Sequence, residues 1–118
     1  MVELWNQRTQ AYMSSPIVLD GQIYLHLKNE RFTSLDTANG EANWTSSPVG
    51  KYWSMASNGD SILALNNKGQ LRLISPNSEK YEVVDEVSVA KDSWAHLAVQ
   101  GDLVIIRDLN ALKVYSWK

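Results

Sequence analysis

The chain has 118 residues, a hydrophobic fraction of 44% and a formal net charge of −2, the profile of one globular unit with enough apolar material for a core. That near-neutral balance argues against the electrostatic footprint of a nucleic-acid or anionic-membrane binder, and the absence of cysteine excludes disulfides, thiolate metal sites and a cysteine nucleophile. No apolar run approaches the roughly 18 residues of a membrane-spanning helix, and Met1-Val2-Glu3-Leu4-Trp5 lacks the basic start of a signal peptide.

In chain order, Val2 to Asn6 reads as a short strand carrying Trp5. Met13 to Leu19 is a second strand, Asp20-Gly21 a tight turn, and Gln22 to Leu27 a strand that places Ile23, Leu25 and Leu27 on one face. Lys28-Asn29-Glu30 leads into a strand over Arg31 to Asp36. The Thr37-Ala38-Asn39-Gly40 turn then precedes a strand over Glu41 to Thr45 that ends in Trp44. The order repeats: strands over Tyr52 to Ser57, Ser61 to Leu65, Gln70 to Ser75 and Lys80 to Val87, with turns at Asn58-Gly59-Asp60 and Asn66-Asn67-Lys68-Gly69. A third round gives Trp94 to Val99, Leu103 to Arg107 and Leu112 to Trp117. Asp85 to Ser93 has room for a helical turn, but Val84, Val87 and Val89 oppose it, so no helix is expected.

The repeat is measurable. Gly21, Gly59 and Gly101 sit at the same point of the three copies, 59 − 21 = 38 and 101 − 59 = 42 residues apart. A period near 40 in an all-β pattern is that of propeller blades with four strands each. The blades fall at about 12–45, 51–87 and 93–118. Trp5 precedes Trp44 by 44 − 5 = 39 residues, one repeat, so residues 2–6 are in the register of a fourth blade strand. The expectation is therefore an all-β partial propeller of three four-stranded blades, the last completed by residues 2–6 from the same chain or from a second one. Two chains placed head to tail would supply six blades, a usual propeller size.

Two segments resemble a known family. Leu35-Asp36-Thr37-Ala38-Asn39-Gly40-Glu41-Ala42-Asn43-Trp44 is similar to the LDxxTGExxW signature of PQQ-like, quinoprotein-type propeller repeats, and Ser14-Ser15-Pro16-Ile17-Val18-Leu19-Asp20-Gly21-Gln22-Ile23-Tyr24 to their opening. The stretch from Trp94 to Asp108 resembles last blades of bacterial members. The second copy departs from the pattern, with Ile74-Ser75-Pro76 in place of Leu-Asp and no Trp on its fourth strand. Members of that family include quinone-dependent alcohol dehydrogenases, an outer-membrane assembly lipoprotein and exported proteins, so the resemblance implies a bacterial periplasmic or exported setting. The enzymes add calcium-bound quinone, a vicinal disulfide and an aspartate base. This sequence has no Cys and no such constellation, so no cofactor is expected.

Few residues point to chemistry. Tyr52-Trp53 and Trp94 fall at the starts of strands, where propeller loops gather, and would either stack on a sugar or peptide or cap the neighbouring blade. His96, Arg107 and Asp108 are candidates for a polar cluster at the central channel, read first as a satisfied network rather than a catalytic one. His26, flanked by Leu25 and Leu27, is expected in solvent. Two isolated histidines and scattered aspartates give no metal spacing, and no nucleophile elbow or phosphate loop is present. The function expected is a non-enzymatic binding or scaffold module for a protein or glycan, without nucleic acid or membrane span, able to dimerise through open blade faces. The alternative is a fragment of a quinone-dependent dehydrogenase-like propeller whose site forms only in the complete ring.

Overall fold

A computed structural model of the protein describes residues 1–117. Among them there is no helix, and the strands form three separate antiparallel sheets. The first is β1 (Ile17–Leu19), β2 (Gln22–His26), β3 (Arg31–Asp36) and β4 (Ala42–Pro48). The second is β5 (Trp53–Ser57), β6 (Ile62–Asn66), β7 (Gln70–Ser75) and β8 (Glu82–Ser88). The third is β9 (Ala98–Gln100), β10 (Leu103–Asp108) and β11 (Ala111–Ser116). Within each sheet the strands follow chain order, the simple meander of a propeller blade.

Local chemistry sets the turns. Leu19 pairs with Gln22, leaving the two-residue Asp20-Gly21 connection with φ of 50° and 75°. Positive φ at both positions is what a hairpin turn matching strand twist requires, and Asp-Gly tolerates it. At the β3–β4 turn Asp36 Oδ1 accepts from the Ala38 N–H at 2.7 Å and Asn39 Oδ1 from the Glu41 N–H at 2.9 Å, so these side chains satisfy donors the turn would leave free.

The sheets stack face to face. Tyr24 and Phe32 of the first sheet pack against Trp53, Met55, Ile62, Ala64 and Ile74 of the second. The opposite face of the second sheet, with Leu63, Leu65 and Leu71, packs against Val104 and Ile106 of the third. The middle sheet is thus covered on both sides, and β6 is buried at every position. In the outer sheets, alternation does not by itself say which face is turned inward. In β2 the more deeply buried face is Gln22, Tyr24 and His26, while Ile23, Leu25 and Leu27 are only half-buried on the side that has no neighbouring sheet.

His26 corrects its expected place. It is fully buried, its ring lies parallel to Trp53 at 5.8 Å, and Nε2 donates to the Gly50 carbonyl at 2.8 Å. Burial pushes its pKa below the ordinary value, against the opposing pull of the Gly50 carbonyl and the Glu30 charge.

Residues 2–6 form no strand in the single chain, and the third sheet has three strands with β11 at its edge, not four. The segment lies instead against the first sheet. Trp5 covers Gly40, and its Nε1 donates to the Thr37 carbonyl at 2.9 Å, while Gln7 Nε2 donates to the Gly40 carbonyl. Gly40 (φ 75°) is required here twice over, because a Cβ would run into the indole. Among the described residues no helix is long and apolar enough to cross a membrane.

Candidate functional site

The two interfaces between sheets are filled differently. In the first, β4 carries Trp44 opposite Ser34, and the indole meets Phe32, Tyr24 and Tyr81 at centroid distances of 5.5, 6.1 and 5.7 Å. Its Nε1 donates to the Asn77 carbonyl at 2.6 Å, in the β7–β8 turn of the next sheet. One side chain thereby closes the gap between blades and satisfies its own donor.

The second interface has no such plug. Both fourth strands carry an irregularity at the same place: Leu35 pairs with Ala42 and Ser34 with Trp44, as Ile74 pairs with Val83 and Leu73 with Asp85. Each bulge skips one residue, Asn43 or Val84, so Asp85 holds the position of Trp44. A short carboxylate cannot span the distance that the indole spans. What remains is an open groove of about 860 Å³ between the second and third sheets. Leu63, Leu71 and Val104 form its nearly buried floor, Leu73, Val87 and Trp117 its more accessible apolar sides, and Asp85, Asp102 and Tyr115 stand along it. Hydrogen bonds fix the far wall: Lys113 Nζ and the Tyr115 hydroxyl both donate to the Val89 carbonyl, at 3.0 and 3.2 Å. A groove of this size with apolar walls and a few polar groups can hold an extended segment or a large side chain of a partner.

The residues singled out from sequence divide into those the fold brings together and those it does not. Tyr52 and Trp94 meet, with ring centroids 6.0 Å apart. Tyr52 is buried, which raises its phenol pKa, whereas Trp94 is 51% exposed and donates from Nε1 to Asp92 Oδ1 at 2.6 Å. They form an aromatic ledge at the opposite end of the sheets from the turns Asn58 and Gly101 that line the groove. Trp53, by contrast, is fully buried in the first interface, where Phe32 and His26 pack on it and Arg72 lies 5.7 Å over its ring; no ligand can reach it without opening the core.

His96, Arg107 and Asp108 do not converge. His96 is exposed and its Nδ1 is engaged by the adjacent Leu97 carbonyl at 2.7 Å. Arg107 is exposed on the open side of β10. Asp108 accepts from the Leu109 N–H at 2.8 Å and pairs with Lys113 at 3.2 Å; these contacts, the Leu109 N–H foremost, hold its carboxyl below the usual range. Its work is to shape the β10–β11 turn. No group of three or more metal-ligating side chains occurs among the described residues.

The groove residues were not singled out from sequence, although one signal was there: the second copy lacks the Trp that the first copy carries. What was missing was its consequence for volume.

No protein-family model matches the sequence, and no curated protein does. Solved structures do. BamB from Moraxella catarrhalis matches with a TM-score of 0.65 and 14% identity over 87% of this chain and 33% of BamB. The β-propeller domain of Cps50 (Swd1) from Myceliophteria thermophila matches with a TM-score of 0.64 and 14% identity over 92% of this chain and 39% of that domain. The computationally designed Ika4 protein matches at 0.58 and 6% identity, over 98% of both chains. This chain thus spans about a third of the length of BamB and two fifths of the Swd1 domain. At such identities the likeness speaks to architecture alone. Together with the three radially stacked sheets, it makes the chain an open, partial β-propeller.

Proposed function

We propose that the chain is a non-enzymatic binding and scaffold module of the PQQ-like propeller type, and that it holds a protein partner in the groove between its second and third sheets. The observation that carries this reading is Asp85 at the position Trp44 occupies one blade earlier. A blade interface left open beside a well-filled one provides a concave apolar surface with acidic groups, suited to an extended segment that brings a large apolar side chain and a neighbouring cation. The Tyr52–Trp94 ledge is the natural site for a glycan, should the partner be one.

Two comparisons test the reading. Extended peptides that pair an aromatic residue with Lys or Arg should perturb the NMR signals of Leu63, Leu71, Leu73 and Val104, and Asp85→Trp should abolish the effect. Perturbation confined to Trp94 with oligosaccharides would move the site to the ledge. The dehydrogenase-like alternative is addressed by adding quinone with calcium: neither an absorbance change nor a thermal shift is expected. A cofactor-dependent shift would overturn the non-enzymatic assignment.

A further inference from the structure

The third sheet has an unpaired edge and an uncovered face, and residues 2–6 have an unpaired backbone beside a well-placed side chain. The two deficits are complementary. Trp5 Nε1 donates to Thr37 in the β3–β4 turn of the first sheet just as Trp44 Nε1 donates to Asn77 in the β7–β8 turn of the second, across 32 and 33 residues of sequence. Trp44 makes that contact while belonging to the fourth strand of the preceding blade. Trp5 therefore already sits where the fourth strand of a blade preceding the first sheet would put it, although no such blade is beside it in the single chain.

The open face of the third sheet has the matching pattern. Ile105 pairs with Val114 and Arg107 with Leu112, as Leu63 pairs with Leu73 and Leu65 with Leu71 in the second sheet. Leu63 and Leu71 are 3% and 7% exposed because the third sheet covers them, whereas Leu112 and Val114 are 72% and 58% exposed. On the other side of the molecule, Ile23 and Leu25 of the first sheet are half-buried, and Val18 is exposed.

We propose that residues 2–6 of a second copy add to the edge of β11 as the fourth strand of the third sheet, reciprocally, so that two chains placed head to tail close a ring of six blades. The register follows from the blades present: Trp44 faces Ser34 and Thr45 faces Thr33, which places Trp5 of one copy opposite Val114 of the other and Asn6 opposite Lys113. The strand satisfies the free edge, Trp5 fills the new interface as Trp44 fills the first, and the exposed third-sheet face meets the open face of the other copy's first sheet. The contact is heterologous and closes after two copies, so it gives a discrete dimer rather than a fibre. This inference is independent of the groove.

The test uses the full chain. Sedimentation or native mass spectrometry should find twice the mass of one chain, and Trp5→Ala should raise the concentration of half-dissociation by roughly tenfold or more. Because the chain has no cysteine, the pair Asn6→Cys with Lys113→Cys should oxidise to a disulfide-linked dimer, with neither single variant doing so. Asn6 is exposed, with a surface bond to Glu3, whereas Lys113→Cys gives up the bonds to the Val89 carbonyl and Asp108, so circular dichroism of each single variant checks that the fold survives. A monomer at every concentration overturns the proposal and gives the β11 edge to another chain or segment. An open series of higher oligomers, or a dimer that the cysteine pair does not cross-link, overturns it too.

Discussion

Trp44 and Asp85 occupy equivalent bulge positions one blade apart, and the difference in size between them decides whether a blade interface is solid or grooved. Asp85→Trp is expected to stabilise the chain by about 1–2 kcal/mol, since it buries indole surface in the groove beside Leu73 and Trp117. Thermal denaturation checks this; a lower melting temperature would mean that the groove is too shallow to take the ring. His26 supports a second prediction. Its pKa in the fold lies below the unfolded value of 6.5, so the neutral form is the one the core accepts. The associated stability is fully present above the unfolded value and is lost as pH falls through the lower folded one. Melting temperature should therefore drop as pH falls below the ordinary histidine value of about 6.5, and His26→Gln should flatten that dependence.

Strands and turns show which parts of the pattern are locally determined. β3 and β7 run over Arg31–Asp36 and Gln70–Ser75, the bounds their alternation gives, because each lies between two Gly- or Asn-rich turns that define both ends. β9 begins at Ala98 rather than at Trp94, since the preceding residues are held by other bonds: Ser93 donates from its N–H to Asn67 and from Oγ to Arg107. The β6–β7 turn carries a test. Gly69 has φ of 78°, and a Cβ there would overlap the Ala90 carbonyl; Gly59 has φ of 96° and open space. Gly69→Ala should cost about 2–4 kcal/mol and Gly59→Ala only about 1 kcal/mol, measured by denaturant unfolding. Equal losses would show that backbone conformation, not the approach of residue 90, dominates at both turns.

For the molecule as a whole, the middle blade is the rigid part. Both faces of β6 are covered, one by the aromatic cluster of the first interface and the other by Val104 and Ile106 of the third sheet. Its amides should exchange with solvent only on global unfolding, slower by at least about tenfold than those of β1 or β9. Faster exchange in β6 than in the outer sheets would contradict the stacked arrangement. The outer sheets differ from it in having one uncovered face each, which is where a further blade would add.

The repeat period, the turn residues and the two-residue alternation determined the all-β class, the order of strands within each sheet and the inter-blade role of Trp44, because each is fixed by contacts close in sequence or by a repeated register. Neither face of a strand could be assigned its neighbour in that way. His26 lies on the less apolar side of β2, with Gln22 and Tyr24, and only the stacking of sheets decided that this side would meet Trp53 in the first interface. Likewise the missing Trp of the second copy was visible as letters, while the groove it leaves depends on the distance between two sheets. That distance is a property of packing over residues far apart in the chain, and no local pattern encodes it.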